Sequence, residues 1–383
     1  MEEHFELIDD PSRLAPLCDR LRRKPWVAID TEFLREKTYH PKLCLVQLAS
    51  DDEIACIDLL AIDDPQSLVQ LLTDPAVIKV FHSASQDMEA LLHHFGTTPT
   101  PIFDTQIAAG LLGQGDQTGY AALVEKLLDI QLPKTQTRTD WSRRPLTPEQ
   151  LRYAADDVLY LRQIYPLQQA ALERLGRLEW ALEDAAALED PARYSPQPGA
   201  VLRRVKGQHM LPPRQRAIVR ALALWREQQA LQRNLPRKWV LSDNALLTLA
   251  QQPPRNLDQL EALDAIPAKT AARHGRHLLD IIAQVEDLDD EAIARLVPQK
   301  KLTPAQIRRV KAIQKRLAEI GEKAGINPST LASRKEIEHL VQLDDDIPLM
   351  RGWRHALAGE AIERLLSAPT EAEPTRSTDP NVL

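Results

Sequence analysis

Cysteine, aromatic residues and long apolar runs are scarce in this chain of 383 residues. Its three cysteines (Cys18, Cys44 and Cys56) lie apart among apolar residues, which favours buried thiols in a reducing compartment over disulfides or a zinc site. No apolar run reaches membrane-spanning length, and the start MEEHFELIDD lacks the pattern of a signal peptide. These absences predict a soluble, cytoplasmic protein of two or three domains with no membrane partner.

The net charge of −7 combines two halves of opposite sign. Residues 1–200 carry 32 acidic and 19 basic side chains, whereas residues 201–383 carry 23 acidic and 29 basic ones. An acidic half can hold cations and a basic half can hold phosphates. Two ordinary solvated surfaces would give the same counts, so charge alone does not define a function.

The first half alternates β-rich segments with helical patterns. Strands are predicted at 26–30, 43–49, 53–58 and 77–82, and helices at 13–23, 66–72, 86–95 and 106–112. This alternation predicts an α/β layered domain with a mixed sheet. The first three strands are too close together for crossover helices, so we expect an antiparallel meander.

A longer helix is predicted to begin at Thr147, which can cap it together with Gln150 three residues later. Pro148 suits the first helical position. Residues 190–213 are rich in proline and glycine and predict a linker.

Beyond that segment the chain is helical and weakly repetitive. Residues 211–250 parallel residues 302–341, since each copy begins Leu-x-Pro, carries one long helix, reaches an Asn/Pro turn and starts a shorter helix after a serine. Two copies predict tandem helical modules. Dimerising heptads are absent, which favours a monomer, and the composition of residues 368–383 predicts a disordered tail.

Acidic residues follow the predicted strands of the first half. Asp30 and Glu32 stand two apart at the end of a strand, so both carboxylates point to one side. Two close anions repel each other unless a cation lies between them. Asp87 follows the fourth predicted strand, where an interaction with the helix dipole alone would also explain it.

Two further candidates lie on the helix that begins near Thr147. Tyr153 and Asp157 are four residues apart and share one face, whereas Asp156 points elsewhere. We expect the carboxylates of both regions to meet at one edge of the sheet. Oxygen ligands of this kind suit Mg²⁺ or Mn²⁺, and two such ions about 3.5–4 Å apart can promote phosphodiester hydrolysis.

The order D-x-E, Asp, Y-x-x-x-D resembles the DEDDy branch of 3′–5′ exonucleases and, within it, the ribonuclease D family. The resemblance covers roughly residues 5–175 and is carried by DTEFLREKTYHPKLCLVQLA, FHSASQDMEAL, FDTQIAAGLLG and RTDWSRRPLTPEQLRYAADDVLYL. Residues 211–290 resemble an HRDC domain, and residues 295–367 resemble a diverged second copy.

This resemblance implies a ribonuclease H-like (DnaQ-like) α/β exonuclease domain with a mixed sheet, followed by two all-α HRDC domains. The implied boundaries are 1–200 for the exonuclease domain with its linker, 208–290 and 295–367 for the HRDC domains, and 368–383 for the tail.

The implied activity is a 3′–5′ exoribonuclease that uses two divalent metal ions, Mg²⁺ or Mn²⁺, to release nucleoside 5′-monophosphates. Its implied partners are RNAs with a single-stranded 3′ end, including tRNA precursors. Asp30, Glu32 and Asp157 would hold one ion, and Asp30 with a water shell near Asp87 the other. Tyr153 would hydrogen-bond the attacking water, because an ordinary phenol pKa near 10 suits orientation better than proton removal.

Substrate contacts are predicted beside these acids. Phe33 could wedge against the terminal base and His82 could contact phosphate, although core packing or a structural histidine explains each equally well. The segment KTQTRTDWSRRP mixes bases, hydroxyls and a tryptophan, which is typical of single-strand binding. Its candidate contacts are Lys134, Arg138 and Arg144, and Trp141 could either stack on RNA or fill the core.

Outside the acidic group, Asp104 is expected to cap a helix and not to bind metal. Arg214, Arg220 and Arg237 are predicted to form a basic helix face for structured RNA. Two alternatives stay open: a DNA exonuclease with the same metal chemistry, and an inactive RNA-binding scaffold that has kept the fold. The presence of all five residues of the pattern argues against the scaffold; they are Asp30, Glu32, Asp87, Tyr153 and Asp157.

Overall fold

A computed structural model of the chain describes residues 4–132, 139–297, 302–342 and 347–367. In its N-terminal part, six strands form one sheet in the order β1-β4-β3-β2-β5-β6. β2 pairs antiparallel with β3, and β3 antiparallel with β4, whereas the β1–β4 and β2–β5 pairs are parallel. The predicted mixed sheet and meander are therefore confirmed. The strands are β1 (Glu6–Ile8), β2 (Trp26–Leu34), β3 (Lys42–Ala49), β4 (Ile54–Asp58), β5 (Ile78–Phe81) and β6 (Ile102–Asp104).

Seven helices accompany the described strands. All four short helices predicted here are present, and the long helix runs on to Leu175. Sequence patterns missed the helices α5 and α7 and the edge strands β1 and β6. The two edge strands have three residues each, which is too short to show an alternation. The helices are α1 (Pro11–Leu21), α2 (Gln66–Leu72), α3 (Ser85–Phe95), α4 (Thr105–Leu111), α5 (Tyr120–Leu128), α6 (Pro148–Leu175) and α7 (Leu178–Ala186).

A β-bulge interrupts the ladder between β2 and β3. Glu32 pairs with Leu45 and Phe33 pairs with Leu43, so Cys44 is the extra residue on β3. The carbonyl oxygen of Cys44 accepts hydrogen bonds from the Leu59 amide at 3.2 Å and from Nη2 of Arg144 at 3.3 Å. Contacts outside the ladder thus satisfy the bulged residue.

The C-terminal half is helical, as predicted. The predicted parallel between residues 211–250 and 302–341 is visible in the structure: each segment begins with a long helix, α9 or α15, and later starts a shorter helix, α11 or α17, that is capped by a serine, Ser242 or Ser333. The helices are α8 (Pro198–Arg203), α9 (Pro213–Gln232), α10 (Arg237–Val240), α11 (Asp243–Gln251), α12 (Leu257–Glu261), α13 (Ala268–Glu286), α14 (Asp290–Leu296), α15 (Pro304–Ala324), α16 (Pro328–Leu331), α17 (Arg334–Val341), α18 (Gly352–Arg354) and α19 (Glu360–Ser367).

The prediction of a linker over residues 190–213 is wrong for much of that segment. It contains α8 and the 3₁₀ turns Pro191–Tyr194 and Gln208–Met210. Val201 and Val205 are buried in one hydrophobic cluster with residues of α9. Their burial stabilises the segment although its proline and glycine content gives no helical periodicity.

The chain divides into two compact units. The first comprises Met1–Ile102, Pro133–Arg162 and Ala186–Lys300, and the second comprises Phe103–Leu132, Gln163–Ala185 and Lys301–Leu383. Within the second unit, Trp180 stacks on Trp353 with ring centroids 4.7 Å apart, and Arg354 forms an ion pair with Asp184. Across the described ranges, no helix is both long and apolar enough to cross a membrane.

The three cysteines are buried and free, which confirms the prediction of buried thiols. Burial raises the pKa of the Cys18 thiol to about 11 and that of Cys56 to about 12.

Thr147→Ala should fray the start of α6. Thr147 and Gln150 form the predicted capping box, with the Thr147 amide donating to Oε1 of Gln150 at 2.8 Å and the Gln150 amide donating to Oγ1 of Thr147 at 3.2 Å. We expect a loss of about 1 kcal/mol of local stability, measured as faster hydrogen exchange at the Gln150 amide. Thr303→Ala removes the same box from α15 and should leave that amide unchanged. Equal exchange in both variants would contradict this assignment.

Candidate metal and phosphodiester site

Three acidic residues from two distant parts of the chain meet in the first unit. Asp30 and Glu32 lie on the last part of β2, and Asp157 lies on the first half of α6. Each offers one carboxylate oxygen, and these oxygens all lie within 4.8 Å of one another. The arrangement follows from the two-residue period of the strand, which directs Asp30 and Glu32 to the same side.

These carboxylates repel one another in a partly buried position. Burial is the largest cause that raises the pKa of each of the three, and the neighbouring negative charges raise the pKa values of Glu32 and Asp157 further. Divalent cations would offset both costs. The donor set consists of carboxylate oxygens alone, so it fits Mg²⁺ or Mn²⁺ better than zinc.

Asp87 adjoins the cluster from the first turn of α3. It is 8% exposed, and its Oδ1 accepts a hydrogen bond from the Thr31 hydroxyl at 2.5 Å. Its charge also contributes to the raised pKa of Glu32. Thr31, between the two acids of β2, is a site residue that sequence reasoning missed; its position inside D-T-E was the available signal.

Tyr153 lies one helical turn before Asp157 on α6. Burial is the main cause that raises the pKa of its phenol, followed by the charges of Asp157 and Glu32, so the hydroxyl stays protonated and able to donate. Asp156 faces away from this cluster and pairs with Arg152 at 2.9 Å. Trp141 is 4% exposed, with its ring centroid 6.2 Å from that of Tyr153, so it packs in the core.

A second residue missed by sequence reasoning is Gln47. It stands directly opposite Asp30 in the β2–β3 ladder, so both side chains lie on one face of the sheet. Gln47 is fully buried, and neither its amide nitrogen nor its oxygen has a hydrogen-bond partner among the described residues. A buried amide normally requires such partners. A hydrated cation on the carboxylates of this face could supply water to satisfy it.

The predicted substrate contacts differ in their structural environment. Phe33 and His82 are half-buried, whereas Lys134 and Arg138 lie outside the described residues. Arg144 has a structural role: its guanidinium forms a bidentate ion pair with Asp58, with distances of 2.5 and 2.6 Å, and donates to the carbonyl of Trp141. A contact between Arg144 and RNA stays a prediction.

The predicted basic face of the helical half is also partly structural. Arg214 donates to the carbonyl oxygens of Glu286 and Leu288 near the C-terminus of α13 and pairs with Asp290. Arg237 pairs with the buried Glu227. Counting charges in the sequence did not separate arginines with internal partners from those available to phosphate.

Asp104 caps α4 and does not belong to the carboxylate cluster. Its Oδ1 accepts hydrogen bonds from the amides of Gln106 and Ile107 at 2.8 and 3.3 Å. This is the capping role expected from its position.

Two family models match the chain. One is described as 3′–5′ exonuclease and matches residues 5–172, and the other is described as HRDC domain and matches residues 215–282. The assignment of residues 295–367 to a second HRDC domain stays a prediction.

Several curated proteins are similar to the chain over nearly its whole length. Ribonuclease D of Acidiphilium cryptum is 41% identical over 369 residues, which cover 94% of this chain and 92% of that protein. Ribonuclease D of Gluconacetobacter diazotrophicus is 39% identical over 360 residues, which cover 92% and 91%.

Solved structures are similar to the chain as well. The crystal structure of Escherichia coli RNase D matches with a TM-score of 0.84 and 33% identity, covering 95% of this chain and 99% of that one. The catalytic core of RRP6 from Trypanosoma brucei, at 21% identity, shares the fold with a TM-score of 0.59 and covers 75% and 81%.

Arg144→Met should destabilise the fold, because it leaves the Asp58 carboxylate, whose side chain is 7% exposed, without its ion-pair partner. We expect a loss of about 3 kcal/mol in the free energy of unfolding, measured by urea denaturation. Arg143→Met is the matched control, since the Arg143 side chain is 84% exposed and, among the described residues, its ion pair is with Asp140 three residues away; it should cost less than about 0.5 kcal/mol. An unchanged unfolding midpoint with weaker RNA binding would contradict this structural role and support Arg144 as an RNA contact.

Proposed function

Because the chain belongs to the ribonuclease D family, we propose that this 3′–5′ exoribonuclease uses two divalent cations to release nucleoside 5′-monophosphates and trims tRNA precursors and other small structured RNAs. The exoribonuclease activity itself follows from family membership over nearly the whole chain. The observation that carries the finer proposal is the meeting of Asp30, Glu32 and Asp157 within 4.8 Å.

The substrate class is supported by one relative of known structure. The Escherichia coli protein is described as an exoribonuclease involved in structured RNA processing. The chain matches that protein along 95% of its own length, including the helical half. A monomeric state and a cytoplasmic location complete the proposal as sequence-based predictions.

We propose that Asp30, Glu32 and Asp157 hold one cation and that Asp30 and Asp87 hold the second, the latter through water. When bound, the ions supply positive charge at the reacting phosphate and lower the pKa of water towards neutrality. Thr31 fixes the orientation of Asp87 through its hydroxyl hydrogen bond.

We propose that Tyr153 orients the attacking water. Its hydroxyl can donate or accept a hydrogen bond, and its raised pKa makes it unsuited to removing a proton. Trp141, buried beside it, limits the positions that the phenol ring can occupy. The Tyr153 side chain therefore orients the attacking water and does not act through a negative charge of its own.

Tyr153→Phe should lower the single-turnover rate on 3′-labelled RNA by about a hundredfold, because the water loses its orienting partner. Affinity for Mn²⁺, measured by calorimetric titration, should stay within about twofold, since all four acids remain. Tyr165→Phe is the matched control on the same helix, where the buried ring packs on Phe103 and not on the acids. Turnover equal to that of the unaltered chain would remove Tyr153 from the mechanism.

Removal of divalent ions should stop nucleotide release. Matched 3′-labelled RNA and DNA oligonucleotides incubated with Mg²⁺ or Mn²⁺ should give mononucleotides from RNA, and EDTA or Asp157→Asn should abolish this product. Equal digestion of DNA would favour a DNA exonuclease. Tight RNA binding without products would favour the inactive scaffold, and release that persists in EDTA would contradict the proposed chemistry.

A further inference from the structure

The loop between β2 and β3, residues 35–41, packs against the first helical module. We use this name for helices α8–α14. Tyr39 in this loop is 8% exposed and belongs to the hydrophobic cluster of that module, together with Leu222 and Leu246. The loop begins immediately after the strand that carries Asp30 and Glu32. All of these residues lie in the first unit.

A buried polar network fixes the Tyr39 side chain. Its hydroxyl donates to Oε1 of Glu227 at 2.5 Å, and Arg237 binds both oxygens of Glu227 at 2.5 and 2.8 Å. The Arg237 guanidinium also lies over the Tyr39 ring, 4.5 Å from its centroid. Glu227 is 3% exposed, so loss of any partner leaves a buried charge poorly compensated.

Asn234 fixes the backbone of the same loop. Its Oδ1 accepts hydrogen bonds from the amides of Tyr39 and His40, each at 3.1 Å. Asn234 has a φ of 47°, a left-handed conformation that asparagine and glycine tolerate better than most residues. The module therefore holds the loop by both its backbone and its side chain.

The other side of the loop contacts α3, the helix that carries Asp87. Arg35 forms an ion pair with Glu89, and the rings of His40 and His93 lie with their centroids 3.2 Å apart. The loop thus connects the helical module with both elements that surround the carboxylate cluster on this side, namely β2 and α3.

We infer that the first helical module positions the β2–β3 loop and, through it, the reaction site. In this inference, which rests on the proposed nuclease function, the positioning residues are Tyr39, Glu227, Asn234 and Arg237. The module then acts on the chemical step, whatever RNA it also contacts. The charge of Arg237 is already paired with Glu227, so a simple phosphate contact by Arg237 is disfavoured.

A positioning role and an RNA-tethering role predict different dependence on substrate length. A trinucleotide has too few phosphates to reach a second binding surface while its 3′ end is being cleaved. A displaced loop should slow cleavage of the trinucleotide and of a long structured RNA alike. A lost tether should raise KM for the long RNA alone.

Asn234→Gly in the full chain gives a sharp test, because glycine keeps the left-handed backbone and removes only the two accepted hydrogen bonds. Asn234→Asp keeps an acceptor oxygen and serves as the conservative variant. Lys269→Gln, an exposed charge on the same module, serves as the control. For each variant, kcat and KM are measured on both substrates, together with hydrogen exchange at the Tyr39 and His40 amides.

Asn234→Gly should lower kcat on both substrates by about tenfold and accelerate exchange at the two amides. Asn234→Asp should recover most of the rate, and Lys269→Gln should leave trinucleotide turnover unchanged. Unchanged trinucleotide turnover in Asn234→Gly, with a raised KM for the long RNA, would overturn the inference. If the unaltered chain released no nucleotides, the proposed function would fail, whereas the exchange data would still report whether Asn234 holds the loop.

Discussion

Mutual repulsion of partly buried carboxylates is the constraint on which the arrangement of this site depends. Asp30, Glu32 and Asp157 bring their oxygens within 4.8 Å, and burial raises the pKa of each. Such a cluster opposes folding unless cations compensate it or the surrounding elements hold it in place. The surrounding structure supplies several restraints, among them the capping box at the start of α6 and the Thr31 hydrogen bond to Asp87.

The helical half contributes to this rigidity and not only to charge. Glu227 and Arg237 are separated from Tyr39 by almost 200 residues in sequence, yet they share one buried network. Arginines in such networks are partly neutralised and sterically fixed, so they differ from the exposed bases that attract phosphate. The number of basic side chains in the second half of the chain is therefore larger than the number that is available to bind RNA phosphates.

Periodic and local signals were the ones that could be read from sequence. The strands β2 to β5, the cap at Thr147 and the shared face of Tyr153 and Asp157 all depend on neighbours within a few residues. The edge strands β1 and β6 and helix α8 depend on contacts with residues far away in sequence. No local sequence pattern indicates such contacts. The same reason explains Arg144, whose partner Asp58 lies 86 residues earlier.

The bulge at Cys44 restricts how the length of this domain can change. It lets β3 pair with β2 in two registers, one on each side of the extra residue. The Arg144 guanidinium donates a hydrogen bond to the Cys44 carbonyl, which the bulge leaves outside the ladder. Deleting one residue here would merge the registers and turn part of β3 over, exchanging core-facing and outward-facing side chains. Insertions and deletions among related chains should therefore avoid this stretch and accumulate in surface connections, where no pairing has to be preserved.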